Sequence, residues 1–240
     1  MARFAFSFSA AALALAACAP KDPVLRAPPD GPFVVSDYYA PSGAFGDGAT
    51  PGNVVINENL GCKERPPGAR GHCFSFVYRA VDPYVDPANG NTGICNFAGV
   101  FWQTPPNNWG SDPGLPIESA FPKLRGARFY AAVDAGAQAV SFGVGGLGLP
   151  PGASAGFVCP PTAIPPGQYY DQIGRPAGMP LLPQTLTTEW SQLEVPLEVR
   201  APPVTTLLSA FSWSTAWPGH ALTVYVDDLV YEGKGADGGP

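Results

Sequence analysis

Thirty prolines and twenty-nine glycines in 240 residues decide what this chain can fold into. Proline removes a backbone N–H and clashes with the preceding helical turn, and glycine loses the most conformational entropy on ordering. No stretch carries a sustained helical period; residues 116–123 allow one turn. What remains are short runs rich in β-branched and aromatic residues, bounded by Gly and Pro, and such runs read as strands. They fall at 33–35, 54–56, 73–78, 97–103, 128–133, 139–144, 190–197, 207–213 and 222–231. Residues 41–53, 82–94, 104–122 and 145–185 read as long loops. Asp134-Ala135-Gly136 supplies turn conformations and predicts a hairpin between the strands on either side. The fold class expected is all-β, a jelly-roll β-sandwich with long Pro/Gly-rich loops.

The N-terminus sets where the chain works. Arg3 precedes an uncharged apolar run from residue 4 to 17. A bilayer span needs about 20 apolar residues, so this run has the length of a signal-peptide core instead. Leu15-Ala16-Ala17-Cys18 matches the lipobox of bacterial lipoproteins. That resemblance implies cleavage before Cys18 and acylation of Cys18, each buried methylene adding about 0.8 kcal/mol of membrane affinity. The expected organisation is a signal peptide at 1–17, a Pro-rich tether at 18–31, one β-sandwich domain at 32–233 and a disordered Gly-rich tail at 234–240. The expected location is outside the cytoplasm, in the outer membrane or at the cell surface.

Four cysteines follow Cys18, and an even count in an exported chain reads as disulfides. Cys62, Cys73, Cys95 and Cys159 permit three pairings, of which Cys62–Cys73 with Cys95–Cys159 is favoured. A loop as short as 62–73 would contribute roughly 2–3 kcal/mol by the chain-entropy argument. A zinc site is disfavoured, since there is no CxxC and only His72 and His220. The net charge of −6 argues against nucleic acid, which is held through Lys and Arg. It is compatible with Ca²⁺ and with neutral ligands.

Five segments resemble the galactose-binding-like, carbohydrate-binding type of bacterial exported β-sandwich. They are 37–47 (DYYAPSGAFGD), 98–110 (AGVFWQTPPNNWG), 169–171 (YYD), 186–190 (LTTEW) and 222–232 (LTVYVDDLVYE). The resemblance implies a jelly roll that recognises a polysaccharide or other glycan, with a structural calcium held partly by an acidic residue of the last strand. The chain departs from the pattern in its Pro/Gly insert around 147–168 and in Phe45 before Gly46-Asp47.

Sugar recognition needs flat aromatic faces for C–H groups and amides or carboxylates for hydroxyls. Trp102, Gln103, Asn107, Asn108, Trp109 and Trp217 supply both kinds and are the candidate ligand contacts. The period of two sets Phe101 and Gln103 on one face of a strand and Trp102 on the other, so one of these aromatics belongs to the core. Phe211 and Trp213 share a face and read as core, while Trp217 precedes Pro218-Gly219 and reads as a loop residue. Asp227 and Asp228, adjacent in a strand, should face opposite sides. A buried lone carboxylate needs a partner, and a Ca²⁺ ion shared by Asp227 and Asp47 is the expected one.

Two short motifs carry nothing. GVGGLG at 143–148 is followed by Pro150-Pro151, which prevents the helix that a dinucleotide site requires. GASAG at 152–156 lacks the strand and helix of a nucleophile elbow. A glycosidase would need two carboxylates across a cleft, and no two can be paired from sequence. The expected function is therefore non-catalytic glycan binding by a lipid-anchored surface protein. The alternatives are a glycoside hydrolase or lyase on the same fold, and a structural envelope lipoprotein without a small ligand.

Overall fold

The computed structural model describes residues 32–47, 51–80, 97–116, 124–147, 183–196 and 206–233. The signal peptide, Cys18, the tether, Cys95, Cys159, the 169–171 segment and the tail lie outside the described residues. Among the described residues no helix is long and apolar enough to cross a membrane.

Two antiparallel sheets pack face to face as a β-sandwich. The strands are β1 (Phe33–Val34), β2 (Ala40–Gly46), β3 (Val54–Glu58), β4 (Phe74–Tyr78), β5 (Phe97–Gln103), β6 (Leu115–Pro116) and β7 (Leu124–Val133). They continue with β8 (Gln138–Gly143), β9 (Gln184–Leu186), β10 (Ser191–Pro196), β11 (Thr206–Leu207), β12 (Ser209–Ala216) and β13 (Leu222–Gly233). Sheet I has the order β10-β7-β13-β4-β3, with β1 also paired to β13; sheet II has the order β2-β5-β12-β8-β9. β6 and β11 form a small separate ribbon.

The core is aromatic because the inward positions of the central strands are. Trp102 is fully buried and meets Phe74, Phe76 and Phe211, with ring centroids 5.7, 5.1 and 5.1 Å away. Phe76 also touches Trp213, and Phe129 bridges Phe142 and Phe211. Each such ring buries about 150–250 Å² and gains further from tilted and edge-on contact. The indole N–H groups of Trp102 and Trp213 have no hydrogen-bond partner among the described residues. Their cost is offset by the apolar area that the same rings remove from water.

The structure differs from the sequence expectation in three strands and one turn; one of the strands, β6, falls in the 104–122 stretch read as loop. β2 lies within a stretch read as loop, since Pro41, Gly43 and Gly46 hide its pattern. As an edge strand, β2 can carry a proline, and its register slips by a bulge between Pro41 and Gly43. β9 likewise begins inside the expected 145–185 loop and ends one residue beyond it. Residues 134–137 form no hairpin: β7 belongs to sheet I and β8 to sheet II, so the turn crosses from one sheet to the other. Asp134 fixes it by accepting from Thr223 N and Oγ1, both at 3.0 Å. Alternation looks the same in a hairpin and in such an arch; only the choice of neighbour differs.

Replacing the buried indole in Trp102→Ala is expected to lower the unfolding free energy by about 3–5 kcal/mol, read from urea denaturation.

Candidate functional site

The two outer faces of the sandwich differ in what covers them. On sheet I, residues 59–73 form a strap. Cys62 and Cys73 are joined by a disulfide with Cα atoms 6.4 Å apart. This bond fits an oxidising, extracytoplasmic compartment. The strap reaches across to the segment before β10, where Lys63 donates to Thr188 O and Trp190 Nε1 donates to Glu64 O at 2.7 Å. Ser75 of β4 donates to Leu60 O underneath it.

A bulge in β13 pins this strap. Asp227 pairs with Tyr130 and Val230 with Arg128, so β13 carries one extra residue, and Asp228 has φ +47°. The bulge overturns the expectation that Asp227 and Asp228 face opposite sides. Both carboxylates meet arginines of the strap. Arg65 grips Asp227 with two bonds, Nη2 to Oδ1 at 2.6 Å and Nε to Oδ2 at 2.8 Å. Arg70 donates to Asp228 Oδ1 from its backbone N and its Nε, at 2.9 and 3.0 Å. Arg128 of β7 reaches Asp228 Oδ2 at 2.8 Å and also bonds Glu232. Burial alone would raise the Asp228 carboxyl, but the hydrogen bonds from Arg70 and Arg128 outweigh it and hold the group below the ordinary range.

These contacts bear on the calcium expectation. The charge of Asp227 is met by a guanidinium. Asp47 stands elsewhere: it accepts from Tyr78 OH at 3.0 Å, and Tyr78 lies opposite Leu222, at the start of β13. Asp227 is five residues further along that strand, about 16 Å at strand rise. Asp47 and Asp227 are therefore not brought together, and the described residues contain no cluster of three or more metal-binding side chains. Beside Asp47, Asn53 Nδ2 donates to Asp47 O, and burial, then the bond to Asp47, pushes the Tyr78 phenol up.

Sheet II carries its aromatics differently. Trp102 points inward and offers no surface to a ligand. Phe101 and Gln103 share the outer face, as the period of two requires. Gln103 is nonetheless buried, because the 104–112 loop folds over it. Its Nε2 donates to Asn108 O at 3.0 Å, and its Oε1 accepts from Ser42 Oγ. Asn108, 1 % exposed, staples that loop: Nδ2 donates to Thr104 O and Asp112 O, and Oδ1 accepts from Gly110 N and Asp112 N. In the structure Gln103 and Asn108 anchor the loop, and Trp102 lies in the core. Asn107 is exposed, has φ +62°, and its N donates to Ser42 Oγ. Trp217, 37 % exposed, lies at the opposite end of β12, with Nε1 bonded to Ala80 O.

The loop carries Trp109 to the outer face, where its ring meets Phe101 edge-on at 6.1 Å. Phe101 stacks on Phe45 at 4.6 Å, and Phe45 meets Phe97 at 5.9 Å. All four rings are partly exposed. Gly99 makes the row possible: a Cβ there would lie 2.3 Å from the Phe45 ring and 2.5 Å from Trp213 O. Beside this ridge, β12 and β8 present only small side chains. Ser212 pairs across with Phe101 and Gly143, and Ser214 with Gly99 and Ser141. The result is an aromatic wall above a low, hydroxyl-bearing floor. Sequence reading missed Phe45, Phe97 and Phe101; the spacing Phe97-Gly99-Phe101 on one face was the available signal.

The strap network makes stability depend on pH. The depressed Asp228 pKa contributes stability above the unfolded carboxyl value of about 3.9, which is lost as pH falls through the folded value. Asp228→Asn is expected to cost on the order of 3 kcal/mol at neutral pH and to flatten the acid limb of a urea-midpoint-versus-pH curve. A limb as steep as in the parent would contradict this account.

No protein-family model and no curated sequence matches the chain.

Proposed function

We propose that the chain is a non-catalytic glycan-binding protein, tethered to a membrane outside the cytoplasm through lipid on Cys18. Its sandwich is read as a galactose-binding-like jelly roll. Support for the topology comes from its connections, of which β2–β3, β4–β5, β5–β7, β7–β8, β9–β10, β10–β12 and β12–β13 each change sheet. The observation that carries the binding reading is the outer face of sheet II. The ridge of Phe97, Phe45, Phe101 and Trp109 offers ring faces to the C–H side of a sugar, and Ser141, Ser212 and Ser214 offer hydroxyls beside it. Asn107, exposed at the tip of the same loop, adds an amide. Binding is favoured over hydrolysis because β2, β5, β8, β9 and β12 carry no Asp or Glu, and a glycosidase works with two facing carboxylates.

A glycan and polysaccharide panel probed with the full-length protein tests this, run with Ca²⁺ and again with EDTA. Trp109→Ala and Phe101→Ala are each expected to weaken binding up to about tenfold, the size of one aromatic contact of roughly 1.4 kcal/mol. Trp217→Ala is expected to leave it unchanged. Loss of binding in EDTA would bring calcium into the site. A panel without any binder would overturn the glycan reading in favour of a structural envelope lipoprotein.

A further inference from the structure

Resting on that reading, we infer that the ligand is a neutral polysaccharide bound as a single non-crystalline chain lying along β5. Three observations converge. First, the five strands of sheet II contain no Asp, Glu, Lys, Arg or His at all. The charged strand positions of the two sheets all fall on sheet I, among them Glu58, Arg128, Glu194, Asp227, Asp228 and Glu232. An anionic glycan is recognised through guanidinium or ammonium groups, which the described strands of this face do not supply, and the overall charge of −6 repels it at long range.

Second, the ring planes turn along the ridge. Phe97 and Phe45 differ by 59°, Phe45 and Phe101 by 29°, and Phe101 and Trp109 by 88°. A crystalline surface of parallel chains presents one plane and needs coplanar rings to lie on. Rings that are not coplanar cannot bed such a plane together, and they suit a single chain whose sugar units are themselves turned relative to one another. Third, the ridge has one open flank, the floor of Ser212, Ser214, Ser141 and Gly143. Phe97 and Phe101 stand about 13 Å apart along the strand, room for more than one sugar unit. Uncharged hydroxyls can donate and accept, which matches the hydroxyls of a neutral sugar.

The test uses the full-length protein and three classes of probe. These are soluble neutral polysaccharides (dextran, xyloglucan, galactomannan), soluble anionic ones (alginate, polygalacturonate), and insoluble crystalline cellulose and chitin. Affinity is measured from about 0.05 to 0.5 M NaCl, a range that shortens the Debye length severalfold. The expected result is binding to a soluble neutral chain, altered less than about twofold by salt and weakened up to about tenfold in Phe101→Ala. An unfolding midpoint of Phe101→Ala near that of the parent would assign the weakening to the face. Binding to an anionic chain that fades with salt would overturn neutrality while keeping glycan recognition. Capture by crystalline cellulose or chitin alone would overturn the single-chain claim. Binding to no probe would overturn both this inference and the reading beneath it.

Discussion

Two neighbouring carboxylates in the last strand, almost sealed from water, govern one whole side of this sandwich. Asp227 is fully buried and Asp228 nearly so. Charges in such places are tolerated only when paired and hydrogen-bonded. The bulge at 227–228 turns both groups outward from the core, and Arg65, Arg70 and Arg128 meet them. Asp228 N also donates to Asp227 Oδ1 at 2.7 Å, so the bulge holds its own shape. The strap from 59 to 73 is laid down on the sheet by these ion pairs and closed covalently by Cys62–Cys73.

The consequence is a division of labour between faces. Sheet I spends its outer surface on internal structure: the strap, Trp190 against Tyr225, and the arginine network. Sheet II has no such strap among the described residues, and its edge pair β2 and β5 leaves four aromatic rings partly exposed in a row. This apolar row, rimmed by small polar groups, is the surface on which the proposed glycan contact rests. The core does not compete for these rings. It is already filled by Trp102, Trp213 and the phenylalanines around them.

Much of the fold was legible because Pro and Gly punctuation leaves only strands, and because period two set Trp102 against Phe101 and Gln103. Trp213 and Phe211 were legible as core for the same reason, and Cys62–Cys73 from its short spacing. β2 was hidden because an edge strand tolerates Pro41 and a bulge that blurs the alternation. The Asp227–Asp228 arrangement was hidden because one inserted residue reverses facing, and its arginine partners lie more than 150 residues away in Arg65 and Arg70. Of the candidate contacts, Trp109 comes to the aromatic ridge and Asn107 lies exposed on its loop. Gln103 and Asn108 look like sugar-binding amides in sequence, yet a loop that folds back on its own strand needs the same groups. Phe45 was noted only as a departure from a familiar pattern; its role depends on lying over Gly99, a contact between strands far apart in the chain.

Residue-resolved NMR shift mapping during titration with a neutral oligosaccharide tests the proposed binding face most directly. Perturbations confined to Phe45, Phe97, Phe101, Trp109, Asn107, Ser212 and Ser214 are the predicted result. Perturbations centred on Trp217, or on the strap around Arg65 and Trp190, would contradict it.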